Sequence, residues 1–238
     1  GCRLVEITGG AFNAGAGLIT FSEPGYSNGD QNPVYAPADY GGGAGSPTVT
    51  FGGYFLGQSL GTSGTCPSGA ALTGCVVGSP SGPLTLDSGS PPTFITSDGA
   101  QPTTPVLSGS PTFNGAIAIK FSTPQSGVGL IGGYFNAVCS TGITAFDADG
   151  NNLGTVCNSE IGDEFLGLVT SDGSADISGL LFHLVGSEPA GFDIDNVEFG
   201  VGAEVSVPGA PATPEPATLG LFGAGLAALG AMRRRRRR

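Results

Sequence analysis

The sequence predicts an all-β protein, built as a single β-sandwich or jelly-roll-like domain, on three observations. Glycine occurs 44 times and proline 18 times in 238 residues, and both disfavour helix interiors. Short runs with alternating apolar residues recur between polar, glycine-rich connections. No segment between these runs has the periodicity of a crossover helix.

Eight of these runs are predicted strands, because alternation with period two places every second side chain on one buried face. Several short strands with turn-rich connections are typical of two packed antiparallel sheets. The predicted strands cover residues 18–21, 48–56, 116–121, 128–135, 143–146, 165–170, 177–185 and 192–199.

The predicted domain spans residues 1–204 and is followed by two segments of different composition. Residues 205–213 carry no charge and include two prolines, which predicts an extended, flexible linker. Residues 214–238 combine two prolines, an apolar run and a block of arginines. The chain opens without methionine or an apolar leader, so it begins after a removed signal peptide or as a fragment.

The charge of the predicted domain is more negative than the total of −11 indicates. Up to Glu204 there are 18 acidic residues against Arg3 and Lys120, a balance of −16. Such a domain repels nucleic acid phosphates and anionic lipid surfaces. We therefore expect no nucleic acid partner, and expect polysaccharide, a divalent cation or another protein instead.

The five cysteines fall into two locally spaced pairs, with Cys2 left over. In an exported protein the spacing predicts disulfides between Cys66 and Cys75 and between Cys139 and Cys157. Free, buried thiols are the alternative.

The C-terminal segment places three physical functions in a fixed order. Pro214, Glu215 and Pro216 keep the chain extended, because proline restricts the backbone and lacks an amide donor. The apolar run that follows would span about 24 Å as a helix and predicts a short transmembrane helix. Its anchoring residues include Ala217, Leu219, Leu221, Phe222, Leu226, Leu229 and Met232. The cluster that fixes orientation, with positive charge on the cytoplasmic side, is Arg233, Arg234, Arg235, Arg236, Arg237 and Arg238.

This order of motif, apolar helix and arginine cluster resembles the PEP-CTERM sorting signal of Gram-negative bacteria. The resemblance implies export and recognition by an exosortase-type membrane protease at Pro214, Glu215 and Pro216. It further implies removal of the helix and delivery to the cell surface or an exopolysaccharide matrix. Residues 114–200 also resemble a β-sandwich found ahead of such tails, which brings no assigned activity.

A long polar loop between residues 26 and 40 combines aromatic rings with oxygen acceptors. Sugars present apolar ring faces to aromatics and hydroxyls to carboxylates. The loop therefore predicts a glycan-binding site, although tyrosines that merely pin a long loop would give the same pattern. Its residues are Tyr26, Tyr35, Tyr40, Asp30 and Asp39.

Two acidic segments raise the question of calcium. Residues 147–151 contain Asp-x-Asp-Gly, but lack the remaining ligands of an EF-hand loop, and favour a hairpin turn. In the last predicted strand, strict alternation places Asp195 on the face of Val197 and Phe199. Asp193 and Asp195 are therefore expected to bond to backbone amides or to hold a structural Ca²⁺. No other cofactor is expected.

The favoured function is a non-catalytic structural or adhesive role at the surface or in the matrix. The alternative is a carbohydrate-binding module. A third hypothesis is a serine hydrolase, because residues 57–61 match Gly-x-Ser-x-Gly around Ser59 and His183 follows. At this glycine content the match is expected by chance, and residues 61–67 do not form the required helix.

Overall fold

The structure is a computed structural model that describes residues 3–99 and 104–210. Within them the chain forms fifteen strands and four short 3-10 helices. The strands are β1 (Leu4–Glu6), β2 (Gly17–Ile19), β3 (Val34–Tyr35), β4 (Val49–Gly52), β5 (Ser59–Leu60), β6 (Val76–Val77), β7 (Phe94–Thr96), β8 (Val106–Ser108), β9 (Ile117–Gln125), β10 (Gly127–Phe135), β11 (Thr141–Phe146), β12 (Asn152–Cys157), β13 (Gly162–Thr170), β14 (Ile177–Leu184) and β15 (Asp193–Gly200). The 3-10 helices span Gly9–Ala11, Pro37–Tyr40, Leu72–Gly74 and Gly202–Glu204.

The strands form two large sheets and one small hairpin. The first sheet has the order β1-β13-β10-β15-β8-β7, with β2 also paired to β15. The second has the order β12-β11-β14-β9-β4-β3, and β5 pairs with β6. Every pairing between these strands is antiparallel. The all-β prediction is confirmed.

The main core lies between the two large sheets. Aromatic rings from facing sheets meet there, with centroids 6.4 Å apart for Phe135 and Phe182 and 5.4 Å apart for Phe121 and Phe199. All four rings are buried and belong to one cluster of apolar residues. Two sheets that share one apolar layer make a β-sandwich, as the sequence predicts.

A second apolar layer covers the outer face of the six-stranded sheet. Phe55 contacts Phe146 at a ring-centroid distance of 5.6 Å, and Leu84 packs in the same cluster. Gly179 of β14 allows this approach, since a Cβ there would lie 2.6 Å from Leu84 and 2.7 Å from Phe55. Residues 53–92 thus bury the face that a two-layer sandwich leaves to solvent, which explains why consecutive residues 117–119 at the start of β9 are all apolar and buried.

The chain divides into two units, residues 1–208 and 209–238. The start of the predicted linker belongs to the first unit: Val205 is buried and bridges Phe12, and the Ser206 amide donates to the Ala11 carbonyl at 2.8 Å. The domain therefore extends past residue 204. No helix in residues 3–99 or 104–210 is long and apolar enough to cross a membrane. The predicted sorting motif, transmembrane helix and arginine cluster lie outside the described residues.

Candidate functional site

Both predicted disulfides are formed. Cys66 and Cys75 join within residues 53–92, which cover the six-stranded sheet, and their Cα atoms are 6.0 Å apart. Cys139 and Cys157 join the two sides of the β11–β12 hairpin, with Cα atoms 4.9 Å apart. The fifth cysteine lies outside the described residues.

The acidic loop between β11 and β12 is a hairpin turn held by one carboxylate. The Asp147 side chain accepts hydrogen bonds from the Asp149 amide at 2.9 Å and the Asn151 amide at 2.8 Å. The Asn151 side chain also donates to Asp147 at 2.9 Å. Both carboxylate oxygens of Asp147 thus accept hydrogen bonds from residues of the turn, and the interpretation of this segment as a hairpin turn is confirmed.

The tyrosine-rich loop uses its rings mainly for internal packing. Tyr35 is fully buried and stacks on Tyr26 at a centroid distance of 4.1 Å. The Tyr26 hydroxyl donates to the Val34 carbonyl at 2.5 Å, and burial and the Asp39 carboxylate raise its pKa to about 12. Tyr40 packs edge-on against Phe199 at 5.2 Å. Tyr35 therefore offers no exposed face on which a sugar could stack.

The two acidic residues of this loop also serve its conformation. Asp30 accepts a hydrogen bond from the Ser27 amide at 2.8 Å. Asp39 accepts one from the Ala36 amide at 2.7 Å and one from the Tyr26 hydroxyl at 3.1 Å. The structure thus brings together Tyr26, Tyr35 and Asp39, in the arrangement expected of a pinned loop.

Asp193 and Asp195 are both fully buried on β15. Strict alternation fails beside them: the register with β10 shifts between Gly129 and Ile131, and Asn196 has a φ of 47°. The expectation that Asp195 shares the face of Val197 is therefore wrong, because a β-bulge adds one residue to β15. Ile194 and Val197 point into the main core instead.

One backbone bond at this bulge supports the amide interpretation. The Asn196 amide donates to Asp195 at 2.8 Å. In the part of the chain that the structure describes, no group of three or more His, Cys, Asp or Glu side chains could hold a metal. A structural Ca²⁺ at these residues stays a prediction.

Ser59 and His183 belong to different layers of the fold. Ser59 is exposed on β5, which continues as a strand paired to β6 rather than as a helix. The His183 ring lies on β14, where Nε2 is 3.0 Å from the Thr144 hydroxyl. Burial lowers the pKa of His183 to about 4. No hydrogen bond joins Ser59 to His183 in the described structure.

Three exposed apolar side chains come from the end of β10 and from two neighbouring loops at one end of the sandwich. Tyr134 is 51% exposed, Val138 62% and Ile161 67%. The Tyr134 ring lies beside Gly162, whose Cβ, if present, would be 3.8 Å from the ring. We call these three residues, Tyr134, Val138 and Ile161, the tip patch. Exposed apolar clusters on soluble domains commonly mark interaction sites.

The two loops that carry Val138 and Ile161 are held together by hydrogen bonds of Asn158 and by a neighbouring disulfide. The buried Asn158 side chain donates to the Ala137 carbonyl at 2.7 Å and to the Glu160 carbonyl at 2.8 Å. The Cys139 amide donates to the Asn158 carbonyl at 2.7 Å, next to the disulfide to Cys157. One amide side chain therefore joins the loop of Val138 to the loop of Ile161.

A buried carboxylate provides a second anchor for the same loop. Glu188 is fully buried and accepts hydrogen bonds from the Asn136 amide at 2.8 Å and the Ser140 hydroxyl at 2.7 Å. The Asn136 side chain donates to Glu188 and also to the Ala190 carbonyl at 2.9 Å. A buried carboxylate with several donors is satisfied, so its role here is to hold the backbone.

The tip patch and the end of the first unit lie at opposite ends of β10. At the start of β10, Gly127 pairs with Gly200 and packs closely under Val205. At the other end of β10 lies Tyr134, which belongs to the tip patch. A strand of this length spans about 27 Å, which separates the tip patch from the point where the chain leaves the sandwich.

The C-terminal segment of the chain is similar to a known family. The PEP-CTERM protein-sorting motif family matches residues 212–237. The chain carries a PEP-CTERM sorting motif. The match includes Pro214, Glu215 and Pro216, and it indicates an exported protein that is sorted at its C-terminus by exosortase-type processing.

The PEP-CTERM match covers residues 212–237 only and does not extend into the β-sandwich. No curated protein matches the chain. The crystal structure of the bacteriophage CBA120 tailspike protein 4 enzymatically active domain is similar at a TM-score of 0.30 and 18% identity. The similarity covers 46% of this chain and 17% of that chain, and at this TM-score it decides neither fold nor activity.

Sequence reasoning missed the tip patch. Tyr134 lies at the end of a predicted strand, and Val138 and Ile161 lie in two turns. From the sequence alone, an apolar residue in these positions is ordinarily assigned to the core. Ile161, alone among polar neighbours in residues 158–163, was the one visible signal. Exposure of all three side chains at one place is a property of the folded chain.

Proposed function

We propose that this protein is an exported structural or adhesive component of the cell surface or extracellular matrix, with a non-catalytic body. The observation that carries the proposal is the sorting motif at residues 212–237, placed behind a β-sandwich with two disulfides. Disulfides persist in oxidising compartments outside the cytoplasm, so body and tail point to the same destination.

The tail supplies both delivery and orientation in this proposal. The apolar run after Pro216 crosses the membrane as a helix, and the arginine cluster keeps its end in the cytoplasm. Cleavage at the motif then releases the body or transfers it to the surface. Glu215 acts as a recognition element of a substrate and takes no catalytic part.

A non-catalytic body is supported by the surroundings of its two candidate catalytic residues. Ser59 lies in a strand pairing, and the His183 ring faces Thr144. A partly buried histidine whose pKa is lowered to about 4 is a neutral side chain at physiological pH. A carbohydrate-binding module ranks second, and a serine hydrolase third.

The proposal is tested by topology and processing in cells. Replacing residues 233–238 with six glutamates should abolish the orientation of the tail, whereas six lysines should preserve it because they keep the charge. Protease accessibility on intact spheroplasts reports the side on which the body lies, and the mass of the recovered protein reports cleavage. Unchanged topology in the glutamate variant, or an intact chain recovered from the cytosol, would contradict the proposal.

A further inference from the structure

We propose that the tip patch binds a neutral polysaccharide, with the Tyr134 ring stacked on a sugar ring. This inference rests on the proposed display of the body outside the cell, and it names the ligand class of that body. The site is distinct from the tyrosine-rich loop at residues 26–40.

The Tyr134 ring is presented as a binding surface. Of the five tyrosines in the chain, all of them in the described residues, Tyr134 alone is exposed. Gly162 beside it has a φ of 84° and no side chain that could extend over the ring. An aromatic ring combines an apolar face with a polar edge, which matches the apolar faces and hydroxyl rims of sugars.

The tip patch is preorganised. The Tyr134 amide donates to the Gly191 carbonyl at 2.5 Å, and Asn158 and the Cys139–Cys157 disulfide hold the neighbouring loops. A binding surface that is already fixed loses little conformational freedom when a ligand docks. Three exposed apolar side chains on a rigid backbone are therefore available without rearrangement.

Polar groups next to the tip patch suit a hydroxylated ligand. Ser159 and Glu160 are exposed between Asn158 and Ile161. The Ser159 hydroxyl donates to Glu164 at 2.8 Å, so it and the Glu160 carboxylate present acceptors to the hydroxyl groups of a ligand. Apolar rings bordered by such groups are the combination that a sugar chain requires.

Size and charge disfavour other macromolecules. A stable protein interface buries about 800 Å² on each partner, from 20 to 30 residues, which is far more than three side chains provide. The balance of −16 up to Glu204 repels a second copy and any polyanion. A narrow, uncharged polymer fits both limits, and its repeating units compensate for weak single contacts.

The tip patch lies away from the C-terminal end of the first unit. The chain leaves the sandwich beyond Val205, next to Gly127, and the tip patch lies at the other end of β10.

The experiment uses the full chain in lipid nanodiscs, mixed with insoluble cellulose, mannan or curdlan. The protein left in the supernatant is measured, with empty nanodiscs as the background. We expect saturable binding to at least one of the three. Tyr134→Ala should raise Kd about tenfold and Tyr134→Phe should leave it nearly unchanged, because the ring carries the contact.

Matched controls separate the tip patch from general surface apolarity. Val138→Thr should weaken binding, whereas Val34→Thr should not, although Val34 is also 49% exposed. Thermal melting of each variant checks that the fold is retained.

Three results would overturn the inference: no binding to any of the three polymers, equal binding by wild type and Tyr134→Ala, or equal losses for Val138→Thr and Val34→Thr. A concentration-dependent dimer that Tyr134→Ala abolishes would also overturn it and assign the patch to a second copy. Failure here leaves export and processing intact, since the topology and mass measurements test those separately.

Discussion

His183 gives the protein a calculable sensitivity to acid. It is the sole histidine in the chain, and burial lowers its pKa from 6.5 to about 4. The folded state therefore holds the neutral ring, while the unfolded chain takes up a proton as the pH falls below 6.5. Stability is complete above pH 6.5 and falls as the pH drops toward 4. The difference between the two pKa values corresponds to about 3 kcal/mol of unfolding free energy.

Other buried groups act in the opposite direction, so a paired variant is needed. Burial raises the pKa of the Asp163 and Glu198 carboxyls, and the cost of keeping them ionised in the folded state disappears as the pH falls. His183→Gln keeps a neutral group that can bond Thr144 and removes the titration. Both carboxyls remain in this variant, so the difference between the two proteins isolates His183.

The assay is urea unfolding of residues 1–208, wild type and His183→Gln, at several pH values between 7 and 4. We expect the stability difference between the two proteins to change by about 3 kcal/mol over this range, in favour of the variant at low pH. NMR gives an independent measure, because a single histidine yields one imidazole signal whose shift follows its protonation. A titration midpoint near 6.5, or parallel stability curves, would refute the reasoning.

Two further predictions concern the sandwich. Replacing both Cys139 and Cys157 with serine opens a loop of sequence separation 18 and should lower the free energy of unfolding by about 3 kcal/mol. Calorimetry on the variant is compared with calorimetry on the oxidised and reduced wild type. A melting temperature of the variant equal to that of the oxidised wild type would contradict this prediction. Gly17→Ala should cost about 1–3 kcal/mol, because the new Cβ would overlap the buried Phe199 ring. Gly10→Ala, where a Cβ meets nothing within 4 Å, is its control and should be nearly neutral.

The long strands were predictable because their side chains alternate or run continuously apolar. Each of the eight predicted segments overlaps with an observed strand. Apart from β2, the strands of two or three residues were not predictable, since runs as short as β3 and β6 carry too little pattern. β12 was missed because Asn152 and Gly154 are disfavoured in strands, and its pairing with β11 is set by the hairpin and the disulfide.

The sequence could also place the cysteine pairs, since their local spacing leaves few choices in an exported chain. It could not place Asp195, because one extra residue in β15 reverses the side to which the strand points its side chains. Nor could it tell a binding tyrosine from a packing tyrosine. Tyr35 and Tyr134 differ in exposure, which depends on the sheets around them.

The sequence alone determined the class of fold and the route of export. Both depend on local sequence: glycine and proline exclude long helices, and the PEP-CTERM motif is identified by the order of its residues. Tertiary structure decided which faces are buried, where the bulge falls and which apolar side chains remain outside. These depend on contacts between residues far apart in sequence, such as Asn158 with Ala137 and Phe55 with Phe146, and no local pattern encodes them.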